Sequence, residues 1–239
     1  MISFSKRRIV FLIIVLALCW MMFNVGFCSI NNSGAKVKVD YTSNGLEVKT
    51  TVSSINVSEA DVKNVSVKID GKTKTLSPGD SYSVKTQNKV FITIPKYLND
   101  LKIESVSGSI SAYELSAKDI CLNTVSGSIN GSDISNPDNV MVNSVSGSIN
   151  YTSSTDNDFT AESVSGSVNV KSNAKDINLK SVSGSISLDS EDNNHSFDFT
   201  TVSGTWNYNG SSGSGKINFN SDSDNSIKAE TVSGSITVF

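Results

Sequence analysis

The sequence has very little arginine and histidine, and each shortage argues against a class of function. Both arginines, Arg7 and Arg8, lie near the start, and the chain after residue 30 has 17 lysines against 23 acidic residues. Phosphate recognition needs clustered positive charge, so a nucleic-acid partner is not expected. The only histidine, His195, follows an acidic stretch and is expected to be a solvated loop residue. Without a second histidine or a cysteine partner, neither a Ser/Cys–His apparatus nor a zinc site is supported.

Cysteine is equally scarce. Cys19 and Cys28 lie in the first 30 residues, which leaves Cys121 as the only thiol of the remaining chain. No disulfide can form within that part, so packing and strand pairing must hold its fold. Cys121 is expected to be an incidental surface residue, with a reactive thiol as the alternative.

Residues 1–30 have the character of a targeting segment. Lys6-Arg7-Arg8 precedes an apolar run, and residues 9–30 give 22 positions, enough to span a bilayer. The basic flank keeps its own side in the cytoplasm and directs the rest of the chain outward. Two fates stay open: an uncleaved N-terminal membrane anchor, or a removed signal peptide followed by secretion. Residues 31–35 are expected to be a short linker.

One six-residue phrase, Ser-Val-Ser-Gly-Ser-Ile with small variations, occurs seven times. A recurring unit of this length is typical of a solenoid, in which each unit stacks on the next. The glycines of the seven copies are separated by 19, 20, 19, 18, 20 and 30 residues and are Gly108, Gly127, Gly147, Gly166, Gly184, Gly204 and Gly234.

Aligned on the glycine, the copies are apolar seven, five and two positions before it and two positions after it. The positions between are polar, and alternation with period two predicts strands with one buried face. The alternation changes phase between the fifth and second positions before the glycine, so a bend or bulge is expected there, with the invariant valine on the buried face. We therefore predict an all-β, single-stranded β-helix or solenoid with 18–20-residue coils spaced at ~4.8 Å. Its right-handedness is taken from the general preference of parallel β connections and not from this pattern.

The rest of the chain is assigned around these repeats. Residues 36–97 are strand-like without the phrase and are expected to form an N-terminal β cap or degenerate coils. Residues 98–239 are assigned to the solenoid, with an inserted loop at 209–216 that leaves the rod. The chain stops at Phe239, directly after the last phrase, so this copy is expected to form the terminal coil. Two interpretations of this end stay open: its unpaired edge allows end-to-end self-association, or the final half-coil itself blunts the end, which is slightly favoured.

No catalytic residue, cofactor or metal site is expected from the side chains present. Glycoside hydrolysis needs two carboxylates, but the acidic pairs lie in polar turns and are expected to be solvated. A polysaccharide-degrading enzyme acting through Asp198 or Asp222 is kept as the alternative. The best calcium candidate, Asp222–Asn225, lacks the glycine-rich nonapeptide of calcium-binding β-rolls. The acidic pairs are Asp156/Asp158, Glu191/Asp192 and Asp222/Asp224.

A polar column three residues after the glycine is the candidate ligand face. Its amides are expected to stack into a ladder, which either satisfies itself structurally or presents a flat, uncharged surface to a polymer such as a glycan. The residues that define this face are Asn130, Asn150, Asn169 and Asn207.

The basic-then-apolar N-terminus, Ile94-Pro95 before the first regular coil, and the recurrent Val-Ser-Gly-Ser-Ile together resemble a bacterial adhesin family of membrane-anchored or secreted β-solenoids. The resemblance covers Val90–Phe239 well and Lys36–Lys89 loosely. It implies a surface protein with a right-handed β-helix and carries over no catalytic residue. The long sixth interval and Trp206, in place of a small aliphatic residue, depart from the pattern.

These observations predict a non-enzymatic, exported cell-surface β-solenoid that acts as an adhesin or envelope-associated binding protein. Cell-wall or host glycans are the expected ligands, and the membrane is a partner through residues 9–30 if the segment is retained. Besides the polysaccharide-degrading enzyme, a structural or signalling partner of another envelope protein remains an alternative. Ice binding through hydroxyl ladders is disfavoured by the uneven repeat lengths.

Overall fold

The computed structural model describes residues 35–239 apart from 136, 154–156, 191–194 and 220–222. The predicted targeting segment and most of the predicted linker lie outside the described residues. The described chain is all-β, which confirms the predicted class, and it forms one sheet of 11 strands and another of 12. At the usual strand spacing this makes a rod about 50 Å long.

The strands are short because the chain crosses repeatedly between the two sheets. In chain order they are β1 (Lys36–Tyr41), β2 (Gly45–Thr50), β3 (Ile55–Ala60), β4 (Val65–Ile69), β5 (Lys72–Leu76), β6 (Ser81–Lys85), β7 (Val90–Pro95), β8 (Asp100–Ser105), β9 (Ile110–Leu115), β10 (Asp119–Thr124), β11 (Ile129–Ile134), β12 (Asn139–Ser144), β13 (Ile149–Ser153), β14 (Asp158–Ser163), β15 (Val168–Lys171), β16 (Asp176–Ser181), β17 (Ile186–Asp189), β18 (His195–Thr201), β19 (Trp206–Tyr208), β20 (Ser211–Gly213), β21 (Lys216–Phe219), β22 (Asn225–Thr231) and β23 (Ile236–Val238).

Each copy of the phrase joins a strand of the first sheet to a strand of the second, and we call such a strand pair a coil. The first sheet has the order β21-β18-β22-β16-β14-β12-β10-β8-β2-β1-β6, and the second β20-β19-β23-β17-β15-β13-β11-β9-β3-β7-β4-β5. Neighbouring coils run parallel and in register: Ile120 of β10 pairs with Leu101 of β8 and with Val140 of β12. The repeats therefore stack like upon like, as the aligned columns predict.

The interior is filled by the apolar columns seven and five residues before the glycine and two residues after it. In the coil β10–β11, Ile120, Leu122 and Ile129 are all buried. Burying a side chain of this size contributes roughly 1.5–3 kcal/mol. Since no disulfide is available, this continuous apolar core and the strand pairing hold the fold.

The predicted position of the invariant valine is wrong in six of the seven copies, and only Val232 of the last copy is buried. In the coil β12–β13, Val145 is half-exposed, whereas Ser144 before it is fully buried. The Ser144 hydroxyl accepts a hydrogen bond from the backbone N–H of Gly147 at 2.9 Å, so its polar group is satisfied inside the bend. The chain turns directly after this serine, and the turn carries the valine outward. The same bond forms in the phrases with glycines at 108, 127, 166, 184 and 234.

The phrase glycines form a column in which backbone lies against backbone. A Cβ built on Gly147 would lie 1.8 Å from the carbonyl oxygen of Gly127 in the preceding coil. None of the seven has a positive φ, so close approach, and not an unusual backbone angle, requires glycine here.

An additional coil begins the stack. Thr50 and Ile55 are in register with Ser105 and Ile110, so Thr-Thr-Val-Ser-Ser-Ile is a degenerate copy of the phrase that alignment on glycine overlooks. Ser53 takes the glycine position and donates its N–H to the Thr50 hydroxyl at 3.0 Å. Its own hydroxyl donates to the Thr86 carbonyl at 3.0 Å, so its Cβ has room at the end of the column.

The last phrase does not form the terminal coil, and that prediction is wrong. The coil β22–β23 lies between β16–β17 and β18–β19, so the seventh copy is stacked inside the sixth. Both sides of its two strands are paired. The last phrase therefore has no open strand edge at residues 231–238 through which two molecules could associate end to end.

The long sixth interval covers the end of the rod. Strand β20 pairs antiparallel with β19, and β21 pairs antiparallel with β18. Here Trp206 packs edge-on against Phe219 with ring centroids 5.5 Å apart, and Tyr208 stacks at a tilt on Phe197 at 4.4 Å. At this end no further coil packs its aliphatic side chains against the core, and large aromatic side chains cover the core instead. The region predicted as an inserted loop is thus mostly cap.

The opposite end is covered by antiparallel strands as well. Strand β1 pairs with β2, and β6 pairs with β1, while β4 and β5 extend the second sheet beyond β7. The edge strand β5 carries exposed Lys72 and Lys74, charges that discourage pairing with a further strand.

Candidate functional site

The candidate site is the outward side of the second sheet across β9, β11, β13, β15 and β17, which we call the polar face. Alternation places it: Ile110 and Ala112 point inward, so the residues between and beside them point outward. Three columns result, one, three and five residues after the glycine. They are Ser109, Ser128, Ser148, Ser167 and Ser185; then Ser111, Asn130, Asn150, Asn169 and Ser187; then Tyr113, Ser132, Thr152, Lys171 and Asp189.

The central column contains an amide ladder of three asparagines. Asn150 donates from Nδ2 to Asn130 Oδ1 at 3.0 Å, and Asn169 donates in turn to Asn150 Oδ1 at 2.9 Å. Asn207 does not join them, because the order of the coils places Ser187 and Thr237 between Asn169 and Asn207. The structure thus brings together three of the four predicted ligand-face residues.

The flanking columns are rich in hydroxyl groups, and two exposed acidic residues, Glu114 and Asp133, lie beside the third column without a cation partner among the described residues. The Ser109 hydroxyl accepts the backbone N–H of Ser128 at 3.3 Å. The two charged residues of the third column, Lys171 and Asp189, form an ion pair at 3.0 Å. Sequence reasoning missed Tyr113, which is 39% exposed at one end of the face and would have appeared on aligning the fifth position after the glycine. A polymer along the rod would meet similar donors and acceptors every ~4.8 Å.

Among the acidic residues considered for catalysis, the described ones lie away from this face: Asp158 begins β14 of the first sheet, and Asp224 directly precedes β22 of that sheet. Asp198 lies on the first sheet, where it accepts a hydrogen bond from Lys216 at 3.0 Å. Asp156, Glu191, Asp192 and Asp222 lie outside the described residues. Among the residues that the structure describes, no three histidine, cysteine or acidic side chains are placed to hold a metal ion.

His195 is buried, so the expectation of a solvated loop residue is wrong. It begins β18 in register with Asn225, and its ring lies inside the rod. Its Nε2 is 2.9 Å from the Ala174 carbonyl oxygen. The ring therefore links the start of β18 to the turn before β16, although strand β22 lies between these two strands in the sheet.

The outward side of the first sheet carries charges that compensate one another. Lys49 and Lys102 each pair with both Glu47 and Glu104 at 3.0–3.4 Å. Partial burial by itself raises the pKa of Glu47, but the two lysines outweigh it and hold that pKa below its ordinary value. The stabilisation from Glu47 is therefore present at neutral pH and is lost as pH falls through its lowered pKa. This cluster offers no unpaired charge to a ligand.

Cys121 lies beside this cluster on the first sheet and is half-buried. Burial raises the pKa of its thiol, and this outweighs the opposing effects of the Asn123 hydrogen bond and the Lys102 charge. The amide of Asn123 lies 3.3 Å from the sulfur. A thiol that stays protonated is a poor nucleophile.

We expect Cys121 to react slowly. In a chain whose Cys19 and Cys28 are replaced by serine, alkylation by iodoacetamide at pH 8 should be roughly fivefold or more slower in the folded protein than in urea. Mass spectrometry of the alkylated fraction over time gives both rates, with the unfolded protein as the control. Equal rates in the two states would identify Cys121 as a reactive thiol.

The chain matches one known protein family over most of its length. The family Toastrack DUF4097 matches residues 28–239. The chain belongs to this family. The function of this family is unknown. Membership therefore agrees with the stacked β coils of the structure but assigns no ligand to the chain. No curated protein and no solved structure matches the chain. No helix among the described residues is long and apolar enough to cross a membrane.

Proposed function

We propose that this Toastrack DUF4097 protein is a non-enzymatic, extracytoplasmic β-solenoid that binds an uncharged, hydroxyl-rich polymer along its polar face. The observation that carries the proposal is the asparagine ladder of Asn130, Asn150 and Asn169 between two hydroxyl-rich columns whose own charged residues, Lys171 and Asp189, are paired. A cell-wall or host glycan has the donors, acceptors and repetition that such a surface matches. The basic-then-apolar residues 1–30 support an exported location, anchored or secreted.

The hydrogen bonding within the ladder leaves capacity for a ligand. An amide oxygen has two lone pairs and an amide nitrogen two hydrogens, whereas each ladder bond uses one of each. Tyr113 adds an exposed aromatic ring, onto which the apolar side of a sugar ring can pack. Flatness and repetition favour an extended polymer over a small ligand, which needs a concave pocket.

Binding to purified glycans tests the proposal, with two matched variants in one coil. Asn150→Ala removes the centre of the ladder and is expected to weaken retention on a neutral polysaccharide roughly tenfold. Asn139→Ala is the control: Asn139 is also exposed, also donates through its amide (to Asp119, at 2.7 Å), and lies on the other sheet. Affinity electrophoresis in gels containing each polysaccharide measures both variants against the unmodified chain.

Two results count against polymer binding by the polar face. The first is that no neutral wall or host polysaccharide retards the protein. The second is that Asn139→Ala and Asn150→Ala weaken retention equally, because the loss would then reflect a general effect and not this surface.

A protein partner is the second candidate, favoured by the outward valines of the phrase. Val106, Val125, Val145, Val164 and Val182 are half-exposed in five adjoining coils, Val232 in the next coil is buried, and Val202 at the rod end is 50% exposed. Such an apolar ridge is typical of surfaces that meet other proteins. If a partner binds there, Val145→Asp should abolish its capture by the full chain, while Asn150→Ala should leave the capture unchanged.

A further inference from the structure

Charge is distributed very unevenly along the rod. Residues 36–97 contain ten lysines and six acidic residues, a net charge of +4, whereas residues 98–239 contain seven lysines and 17 acidic residues, a net charge of −10. The N-terminal end, which includes β1 and β3–β7, is therefore basic, and the coils beyond it are acidic.

Most lysines at the basic end have no carboxylate partner among the described residues. Of the ten, only Lys38 and Lys49 form ion pairs. In the coils the proportion is reversed, since Lys102, Lys171, Lys180, Lys216 and Lys228 are all paired. The positive charge at the N-terminal end is thus not neutralised by ion pairs within the part of the chain that the structure describes. The eight unpaired lysines, all exposed, are Lys36, Lys63, Lys68, Lys72, Lys74, Lys85, Lys89 and Lys96.

Several of these lysines are brought together by strand pairing. Lys36 of β1 lies directly opposite Lys85 of β6, an arrangement of like charges that is destabilising in the isolated protein. The backbone N–H of Thr86 donates to the Ala35 carbonyl at 3.1 Å, which holds the start of β1 against the segment 86–89. Lys89 is in that segment.

The second sheet adds an exposed aromatic ring to the same end. Phe91 is 47% exposed, its Cα partner on β4 is Lys68, and Lys89 Nζ lies 5.8 Å from its ring centre. The turn after Lys68 is tied back to this segment, since Asn88 donates to Asp70 at 2.7 Å. An apolar ring among lysines suits the headgroup region of a bilayer, where charge and apolar surface are both satisfied.

The chain also enters the domain at this end. The described residues begin at Ala35, against Thr86, so the predicted anchor joins the rod beside these lysines. Residues 31–35 span at most about 17 Å when extended. Anchoring through residues 9–30 would therefore hold the basic end within a few Debye lengths of lipid headgroups.

We propose that the basic end, meaning Lys36, Lys68, Lys72, Lys85, Lys89 and Phe91, docks on an anionic lipid surface. The inference depends on the membrane-anchored form of the proposed function. Each lysine near such a surface is attracted to it, while the acidic coils are repelled. The two effects together stand the rod upright and carry the polar face away from the bilayer.

The test measures how close each end of the rod lies to lipid. The full chain, with Cys19, Cys28 and Cys121 replaced by serine, carries one dye-labelled cysteine, Thr73→Cys beside Lys68 or Ser212→Cys at the opposite end. It is reconstituted into phosphatidylcholine vesicles with or without about 30% phosphatidylglycerol, and energy transfer to a headgroup acceptor is recorded. We expect transfer from position 73 to rise with the anionic lipid and to fall back in about 0.5 M NaCl, with position 212 remaining distant.

Charge variants give the decisive comparison. Lys68→Glu with Lys72→Glu should lower the ratio of docked to undocked protein roughly tenfold or more. Lys118→Glu with Lys175→Glu, which changes two exposed lysines of the coils that form no ion pair with a described residue, should leave the ratio unchanged.

The experiment distinguishes failure of the lipid docking from failure of the membrane anchor on which it depends. A chain that does not float with neutral vesicles contradicts the membrane anchor and the docking with it. A chain that floats with both vesicle types, but gives equal transfer from position 73 in both, contradicts the docking alone. Equal losses in the two charge variants also contradict it, because a general effect of net charge would then explain the result.

Discussion

Gly147→Ala is expected to unfold the protein or to cost at least about 4 kcal/mol of its stability. The new Cβ would lie 1.8 Å from the Gly127 carbonyl oxygen and 2.4 Å from its carbon, both backbone atoms. Relief requires the two coils to separate, yet the backbone hydrogen bond from Ser146 to Val125, at 2.9 Å, holds them together at this bend. Urea unfolding followed by circular dichroism measures the loss.

Gly71→Ala is the matched control for this substitution. Gly71 has a φ of +74° and no heavy atom within 4 Å of the added Cβ, so only backbone strain of about 1–2 kcal/mol is expected. Similar losses at positions 71 and 147 would mean that close approach between coils is not what the phrase glycine provides.

Trp206→Ala is expected to lower the free energy of unfolding by roughly 3–5 kcal/mol. The indole is 8% exposed, lies against Gly213 and packs edge-on against Phe219, so its removal opens a cavity under the cap of the rod. Trp206→Phe should cost less, because the buried indole Nε1 has no hydrogen-bond partner among the described residues. Differential scanning calorimetry of the three proteins gives the ranking.

Phe239→Ala is the control for aromatic loss near the chain end. Phe239 is 70% exposed, so its truncation should change stability by no more than about 0.5 kcal/mol. If Trp206→Ala were as mild as Phe239→Ala, the aromatic cluster would not be closing the rod. The cap assigned to β20 and β21 would then lack its energetic basis.

The repeated phrase made the stacked coils predictable, because a single register satisfies every copy at once. Pairing of Ile120 with Leu101 and Val140 follows from aligning the sequence on its glycines. The contiguous part of the asparagine ladder follows from the same alignment. Local alternation was less reliable at the bend, where Ser144 is buried and Val145 is not. There a hydrogen bond to the Gly147 N–H outweighs the preference of valine for the interior.

The order of the last two coils could not be predicted from the pattern. The sixth and seventh copies carry the same columns, so Phe197 or Ile227 could equally follow Ile177 in the stack. What selects the order is the cap, because Trp206 and Phe219 bury each other only at an end. His195 was misjudged for a related reason: its acidic neighbours in sequence suggested a loop, whereas β18 carries it into the interior.

The functional surfaces could likewise be predicted only in part from the sequence. Columns of serine and asparagine were visible in the sequence, but the ion pair between Lys171 and Asp189 of adjacent coils was not. Likewise, the basic N-terminal end is visible as composition, and only strand pairing brings Lys36 and Lys85 together.

Disulfide trapping of coil order tests the central claim most directly, since parallel neighbours lie within bridging distance. In a chain without native cysteines, the structure predicts that Ser187→Cys cross-links with Thr237→Cys, and Thr237→Cys with Asn207→Cys. The combination Ser187→Cys with Asn207→Cys should stay reduced under the same mild oxidation, because β23 lies between those strands. Efficient cross-linking of positions 187 and 207, with none between 187 and 237, would contradict the inserted coil and the end cap that depends on it.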